Sequence, residues 1–112
     1  MTPEKTLAII TDALEEKKAK DIEIFDIRNQ QAITDFIIIC TGNTKIHIKA
    51  LKDELRQSLR KAKVHRISET GILESNWIIL DYGGYIIHIM GPEERDFYCL
   101  EDLWKNAGVV YH

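Results

Sequence analysis

Residues 77–90 read Trp77-Ile78-Ile79-Leu80-Asp81-Tyr82-Gly83-Gly84-Tyr85-Ile86-Ile87-His88-Ile89-Met90. Two isoleucine-rich runs flank a Gly-Gly pair, and β-branched residues suit a pleated, half-buried surface. Gly-Gly between strand-like runs predicts a two-residue hairpin turn of type I′, whose central residues both need positive φ. Such a turn pairs Tyr82 with Tyr85, Leu80 with Ile87, Ile78 with Ile89, Ile79 with His88 and Trp77 with Met90. Alternation along each strand then sorts the side chains. One face carries Ile78, Leu80, Ile87 and Ile89, with the two tyrosines near the turn, and reads as core. The other carries Trp77, Ile79, Asp81, Ile86, His88 and Met90. A buried unpaired Asp is costly, so this second face reads as only partly dry. Two readings stay open for it. It is a second core layer under a helix, with His88 hydrogen-bonded to Asp81. Or it meets a protein partner, where aromatic and Met anchors mix with a few polar groups.

Outward from the hairpin, helices and strands alternate. Thr2-Pro3-Glu4 is a helix start, with a capping hydroxyl, Pro at the first position and an acid in the first turn. Leu7, Ile10 and Leu14 fall on one face of a helix running to about Lys18. Ile22–Ile27 reads as a strand, and 29–33 as a polar connection. Phe36–Thr41 is uninterrupted apolar sequence, a strand buried on both faces. Gly42-Asn43-Thr44 breaks it and offers caps for a helix over Lys45–Lys63, with Ile48, Leu51, Leu55, Leu59 and Ala62 in line. A short strand is expected near Arg66–Ser68. After the hairpin, Gly91-Pro92-Glu93-Glu94 starts a last helix with Phe97, Leu100, Leu103 and Trp104 as its apolar side. The order predicts an α/β fold of the α+β type: a mixed sheet of about five strands flanked by helices.

The 112 residues amount to one domain, 1–112, without repeats or a linker. Hydrophobic content of 45% is enough for a core without staples. Cys40 and Cys99 lack CxxC or zinc spacing and read as reduced thiols of a cytoplasmic protein. No leader or membrane span is expected, because the longest apolar run, Phe36–Cys40, is far too short to cross a bilayer. The net charge of −3 argues against a general nucleic-acid coat. Yet the bases are segregated: Lys45, Lys49, Lys52, Arg56, Arg60 and Lys63 recur at three- and four-residue steps on one helix face. That ridge is either a solvated face or a candidate contact for RNA phosphates.

Catalytic patterns are poor. His47, His65, His88 and His112 lack HxxxH or HExxH spacing, so no metal site is expected. Gly42-Asn43-Thr44 matches neither GxxxxGK[ST] nor GxGxxG. A nucleotidyltransferase needs a carboxylate pair for Mg²⁺ on a strand after such a loop, and no Asp-x-Asp occurs. Asp21 and Glu23 precede the loop, and Cys99 has no evident base. The chain reads as a non-enzyme without a cofactor.

Thr34-Asp35-Phe36, Cys40-Thr41-Gly42-Asn43, Trp77 to Gly83, His88, Pro92 to Tyr98, Leu100-Glu101 and Leu103-Trp104 together resemble the Iojap family. Its bacterial members are ribosomal silencing factors. The match runs from about Lys5 to Trp104; each motif is weak alone, and their order and spacing carry it. Gly-Asp is common in relatives where Gly83-Gly84 stands here. The resemblance implies a nucleotidyltransferase-like fold without its catalytic motif. It also implies binding to the large ribosomal subunit through the universal protein fourteen of that subunit. Small-subunit joining would then be blocked during starvation or stationary phase. The resemblance favours the partner reading of the second hairpin face, with Trp77 as anchor. Ile79 and Met90 would pack around it, Asp81 and His88 would make polar contacts, and Glu93, Arg95 and Tyr98 would form a rim. A homodimer is compatible with it. The alternatives are an assembly factor contacting RNA through 45–63, and, last, a nucleotidyl-transfer enzyme.

Overall fold

The computed structural model describes residues 2–30, 34–71, 73–104 and 108–111. The elements in chain order are α1 (Pro3–Glu16), β1 (Lys20–Asp26), β2 (Phe36–Thr41), α2 (Lys45–Lys61), β3 (Ser68–Thr70), β4 (Trp77–Asp81), β5 (Tyr85–Met90), α3 (Pro92–Tyr98) and β6 (Gly108–Tyr111). Short 3₁₀ turns cover Arg28–Gln30, Leu73–Ser75 and Leu100–Trp104. The sheet order is β3-β4-β5-β2-β1-β6. β2 and β5 pair parallel, and the other neighbours pair antiparallel. The mixed sheet flanked by helices is the expected architecture. It has six strands rather than five, because β6 joins the β1 edge.

The hairpin register is the one the Gly-Gly turn dictates: Trp77 faces Met90, Ile79 faces His88 and Leu80 faces Ile87. Its turn geometry differs from the expectation. Gly83 has φ +85° and Gly84 is not in the positive-φ region. Positive φ at the first central residue alone is the type II′ pattern, which also matches strand twist.

Two apolar layers sandwich the sheet. On one face Ile78, Leu80, Tyr82, Ile87 and Ile89 meet the stripes of α1 and α2, among them Ile10, Leu14, Leu51, Leu55 and Leu59. The opposite face is smaller: Phe25, Ile27, Ile37, Ile39 and Met90, with Trp77, Ile86, Leu100 and Trp104 packed against it. β2 contributes to both layers and is buried along its whole length. The uninterrupted apolar run Phe36–Thr41 required this.

Three helix ends fall short of their expected positions for one shared reason. After α1, Lys18 takes φ +61°; after α2, Lys63 takes φ +62°; after α3, Cys99 takes φ +48°. At the end of α2, Val64 N–H donates to Leu59 O and Lys63 N–H to Arg60 O, both at 2.9 Å. That is a Schellman cap, normally built on Gly. A Lys or Cys in left-handed geometry costs roughly 1–2 kcal/mol, so these stops carry no sequence signal. The last helix is therefore two pieces broken at Cys99. Leu100 and Trp104 keep their expected inward role, but Phe97 is 80% exposed and Leu103 69% exposed. The short strand lies at Ser68–Thr70 rather than 66–68, with Ser68 opposite Asp81. The expected polar connection 29–33 falls partly outside the described residues.

Candidate partner-binding surface

Trp77 opens β4 at the end of the strand that β3 does not cover, since β3 pairs only with residues 79–81. The preceding Asn76 takes φ +57°. Its carbonyl accepts from Gly91 N–H at 2.8 Å, and its side-chain oxygen accepts from Lys45 Nζ at 3.0 Å. Gly71 closes over the same strand end at φ +89°, where any Cβ would collide with the Trp77 carbonyl oxygen. A side chain at Gly71 would thus push Trp77 from its place. Lys45, expected on the basic ridge, instead ties α2 to the Trp77 approach.

The Trp77 indole N–H donates to His88 Nδ1 at 3.1 Å. An indole N–H only donates, so Nδ1 must be unprotonated and the neutral His88 carries its proton on Nε2. The bond to Trp77 replaces the anticipated His88–Asp81 bond. The Trp77 ring also meets Tyr98 at 4.8 Å between centroids, and Tyr98 meets Phe97 edge-on at 5.0 Å. Ser75, Trp77, Glu93, Glu94, Phe97 and Tyr98 line a cleft of about 390 Å³. Its floor is aromatic and its rim acidic. Single exposed apolar residues are ordinary; a contiguous aromatic cluster led by a Phe that is 80% exposed is a candidate interaction surface.

The structure divides the expected group. Trp77, Glu93 and Tyr98 come together at the cleft, with His88 behind Trp77 and Ile79 half-buried on the same face. Asp81 stands apart, at the far end of β4, where its Oδ1 accepts from Gly83 N–H at 2.8 Å and fixes the turn. Met90 is fully buried in the second core layer, so it supports this face from within and offers a partner no surface. Arg95 is buried as well. It bonds Glu23 and Glu101 at 2.7 Å each, the Asp21 carbonyl at 2.7 Å and Thr41 Oγ1 at 3.0 Å. Arg95 is thus the bolt that holds α3 to β1 and β2, not a rim residue. Phe97 and Glu94 escape sequence reasoning because the spacing of Phe97, Leu100, Leu103 and Trp104 imitates one continuous amphipathic helix. Only the break at Cys99 turns Phe97 outward.

His88 is 9% exposed, and burial pushes its pKa down from 6.5 to about 4. The unfolded chain takes up this proton near pH 6.5, whereas the folded chain resists it until about pH 4. The stabilisation is therefore complete above pH 6.5 and is lost as the pH falls toward 4. Urea unfolding should show a loss on the order of 2 kcal/mol between pH 7 and pH 5 from this group. In His88→Gln that part of the slope should vanish. Equal slopes in the two proteins would show that His88 is not held neutral.

Chemistry of other kinds finds little purchase. Glu23 is taken up by Arg95, and Asp21 turns its carbonyl to the same guanidinium. Burial pushes the Cys40 thiol up to about 12, and both cysteines are unbridged. Among the described residues no group of three His, Cys, Asp or Glu side chains is placed to hold a metal ion, and no helix is long and apolar enough to cross a membrane. On the basic ridge, Lys49 pairs with Asp53 at 2.9 Å. Lys52 and Arg56 lean toward Glu69, at 3.6 and 3.9 Å.

Fold and surface together define a small α+β protein whose prominent surface feature is an exposed aromatic cluster. Comparison with known proteins gives that class a family. The family described as ribosomal silencing factor during starvation matches residues 1–111. The ribosomal silencing factor RsfS of Haemophilus influenzae is 38% identical over 95 residues, 85% of this chain and 93% of that protein. The chloroplastic Iojap protein of Zea mays is 30% identical over 98 residues, 88% of this chain and 42% of that protein. A crystal structure of a Chromobacterium violaceum protein superposes with a TM-score of 0.87 at 31% identity, covering 93% of this chain and 87% of that one. A second, from Bacillus halodurans, gives 0.83 at 25% identity, with 97% and 99% covered. The chain belongs to the ribosomal silencing factor (Iojap) family.

Proposed function

We propose that this protein is a cytoplasmic translational repressor that binds the large ribosomal subunit through its protein fourteen. Bound there, it occupies space that the small subunit needs, and joining is blocked without any chemical step. The observation that carries this reading is the solvent-facing Trp77–Tyr98–Phe97 cluster with its acidic rim, on a chain of the silencing-factor family. A half-buried Trp, its N–H already satisfied by His88, presents apolar surface without a stranded donor. Aromatic anchors of this kind dominate binding energy when a partner seals them from water. Glu93 and Glu94 would meet a basic rim on the partner, which favours encounter more than affinity. Sedimentation of the tagged chain with purified subunits tests the proposal: it should travel with free large subunits and not with small ones. Recovery at the top of the gradient would contradict it.

The ridge on α2 supplies a secondary contact to ribosomal RNA in this reading. Lys49→Glu combined with Lys63→Glu should then weaken large-subunit binding and flatten its dependence on salt, by a log–log slope of roughly 2. An unchanged slope would mean that these two lysines make no contact with RNA.

A further inference from the structure

Away from the aromatic face, the end of α2, the segment after it and the hairpin enclose a cleft of about 220 Å³. Its lining is Arg56, Arg60, Val64, His65, Arg66 and Tyr82. Among the described residues one carboxylate ion-pairs with these cations: Glu69 lies 2.9 Å from Arg66, 3.6 Å from Lys52 and 3.9 Å from Arg56, while Asp53, on the adjoining groove with Arg56 and Arg60, is paired with Lys49. A single negative charge among three cations leaves an excess of positive charge. Arg60 adds to it, with no ion-pair partner among the described residues. The C-terminal dipole of α2 opposes an anion by about half a charge, which the guanidinium groups outweigh.

Tyr82 gives the cleft a neutral donor. Its ring is buried in the main core, while its hydroxyl has no hydrogen-bond partner among the described residues. Burial pushes the phenol pKa up, and Arg66 and Arg56 pull it back, so their field reaches this oxygen. The phenol is therefore protonated at neutral pH and able to donate. Guanidinium forks match the paired oxygens of a phosphate, and charge-assisted bonds of this kind are the strong ones.

We propose that this cleft is a phosphate-binding site, separate from the aromatic surface, in which Arg60 is the free cation and Tyr82 the neutral donor. The phosphate belongs either to an RNA backbone or to a free phosphorylated small molecule. Amide chemical shifts of the full chain, followed during titration with pyrophosphate and separately with a short RNA duplex at fixed ionic strength, test this. Saturable shifts centred on residues 60–66 and Tyr82 are expected with at least one probe. Saturation by pyrophosphate identifies a free phosphate compound; saturation by RNA alone identifies the backbone. Arg60→Glu should weaken binding about tenfold, and Tyr82→Phe about threefold with the melting point kept. Lys17→Glu, an exposed lysine outside the ridge whose carbonyl meets His47 at the other end of α2, should have little effect. Absence of saturable shifts with both probes overturns the proposal. So do shifts that survive Arg60→Glu, or that Lys17→Glu weakens equally. No ribosome takes part, so failure here leaves the docking proposal standing.

Discussion

Trp77→Glu should abolish binding to the large subunit and restore subunit joining, while leaving the protein folded. Loss of a central aromatic anchor typically costs more than ~2 kcal/mol, and a carboxylate in a desolvated contact costs more. The new charge would also sit beside Glu93 and Glu94 on the cleft rim. Folding should suffer less. Trp77 is only half-buried, and the larger core on the opposite sheet face, with Ile78, Leu80, Ile87 and Ile89, is untouched. The hydrogen bond to His88 is lost, a net effect of about 1 kcal/mol. A melting curve and subunit co-sedimentation on the same variant separate the two roles. Lost binding with a melting point within a few degrees of the parent supports the anchor. A collapsed melting curve would instead make Trp77 a member of the second core layer.

Arg95→Ala should destabilise the fold more than Trp77→Glu does. The guanidinium is 8% exposed and carries two carboxylates, a carbonyl and a hydroxyl. Removing one member of a buried ionic network costs about 3–5 kcal/mol, because it strands the other charges. Glu23 and Glu101 keep 23% and 26% of their side-chain surface, so water softens the loss toward roughly 3 kcal/mol. For a chain of this size that lowers the melting point by roughly 10 °C. Arg95→Met with Glu23→Gln and Glu101→Gln should recover part of the loss, since no carboxylate is then stranded. A melting point unchanged in Arg95→Ala would remove Arg95 from the role of bolt. Because α3 carries Glu93, Phe97 and Tyr98, binding should fall along with stability.

The hairpin, the strand Phe36–Thr41 and the stripes of α1 and α2 are legible because apolar periodicity and Gly, Pro and Thr punctuation all mark them. Helix ends at Lys18, Lys63 and Cys99 are not, because those residues adopt left-handed geometry against their own preference. The site follows the same division. The hairpin register and a family resemblance bring Trp77, Glu93 and Tyr98 together. They misplace Met90 and Arg95, because alternation says which side of a sheet a residue faces and not how deep it lies. Their depth comes from the 3₁₀ turn 100–104 and from Glu23, Thr41 and Glu101, contacts between distant parts of the chain. A charged residue in an exposed-looking helix gives no sign of such partners. The core reading of the second hairpin face holds for its middle, while its Trp77 end is half-buried and is where the partner contact is proposed.

The most direct measurement mixes separated large and small subunits with and without the chain under conditions that favour joining, then resolves the products on a sucrose gradient. Large subunits should remain a free peak with the chain co-migrating, and Trp77→Glu should return them to joined ribosomes. Full joining in the presence of the chain, with the chain left at the top of the gradient, would contradict the account.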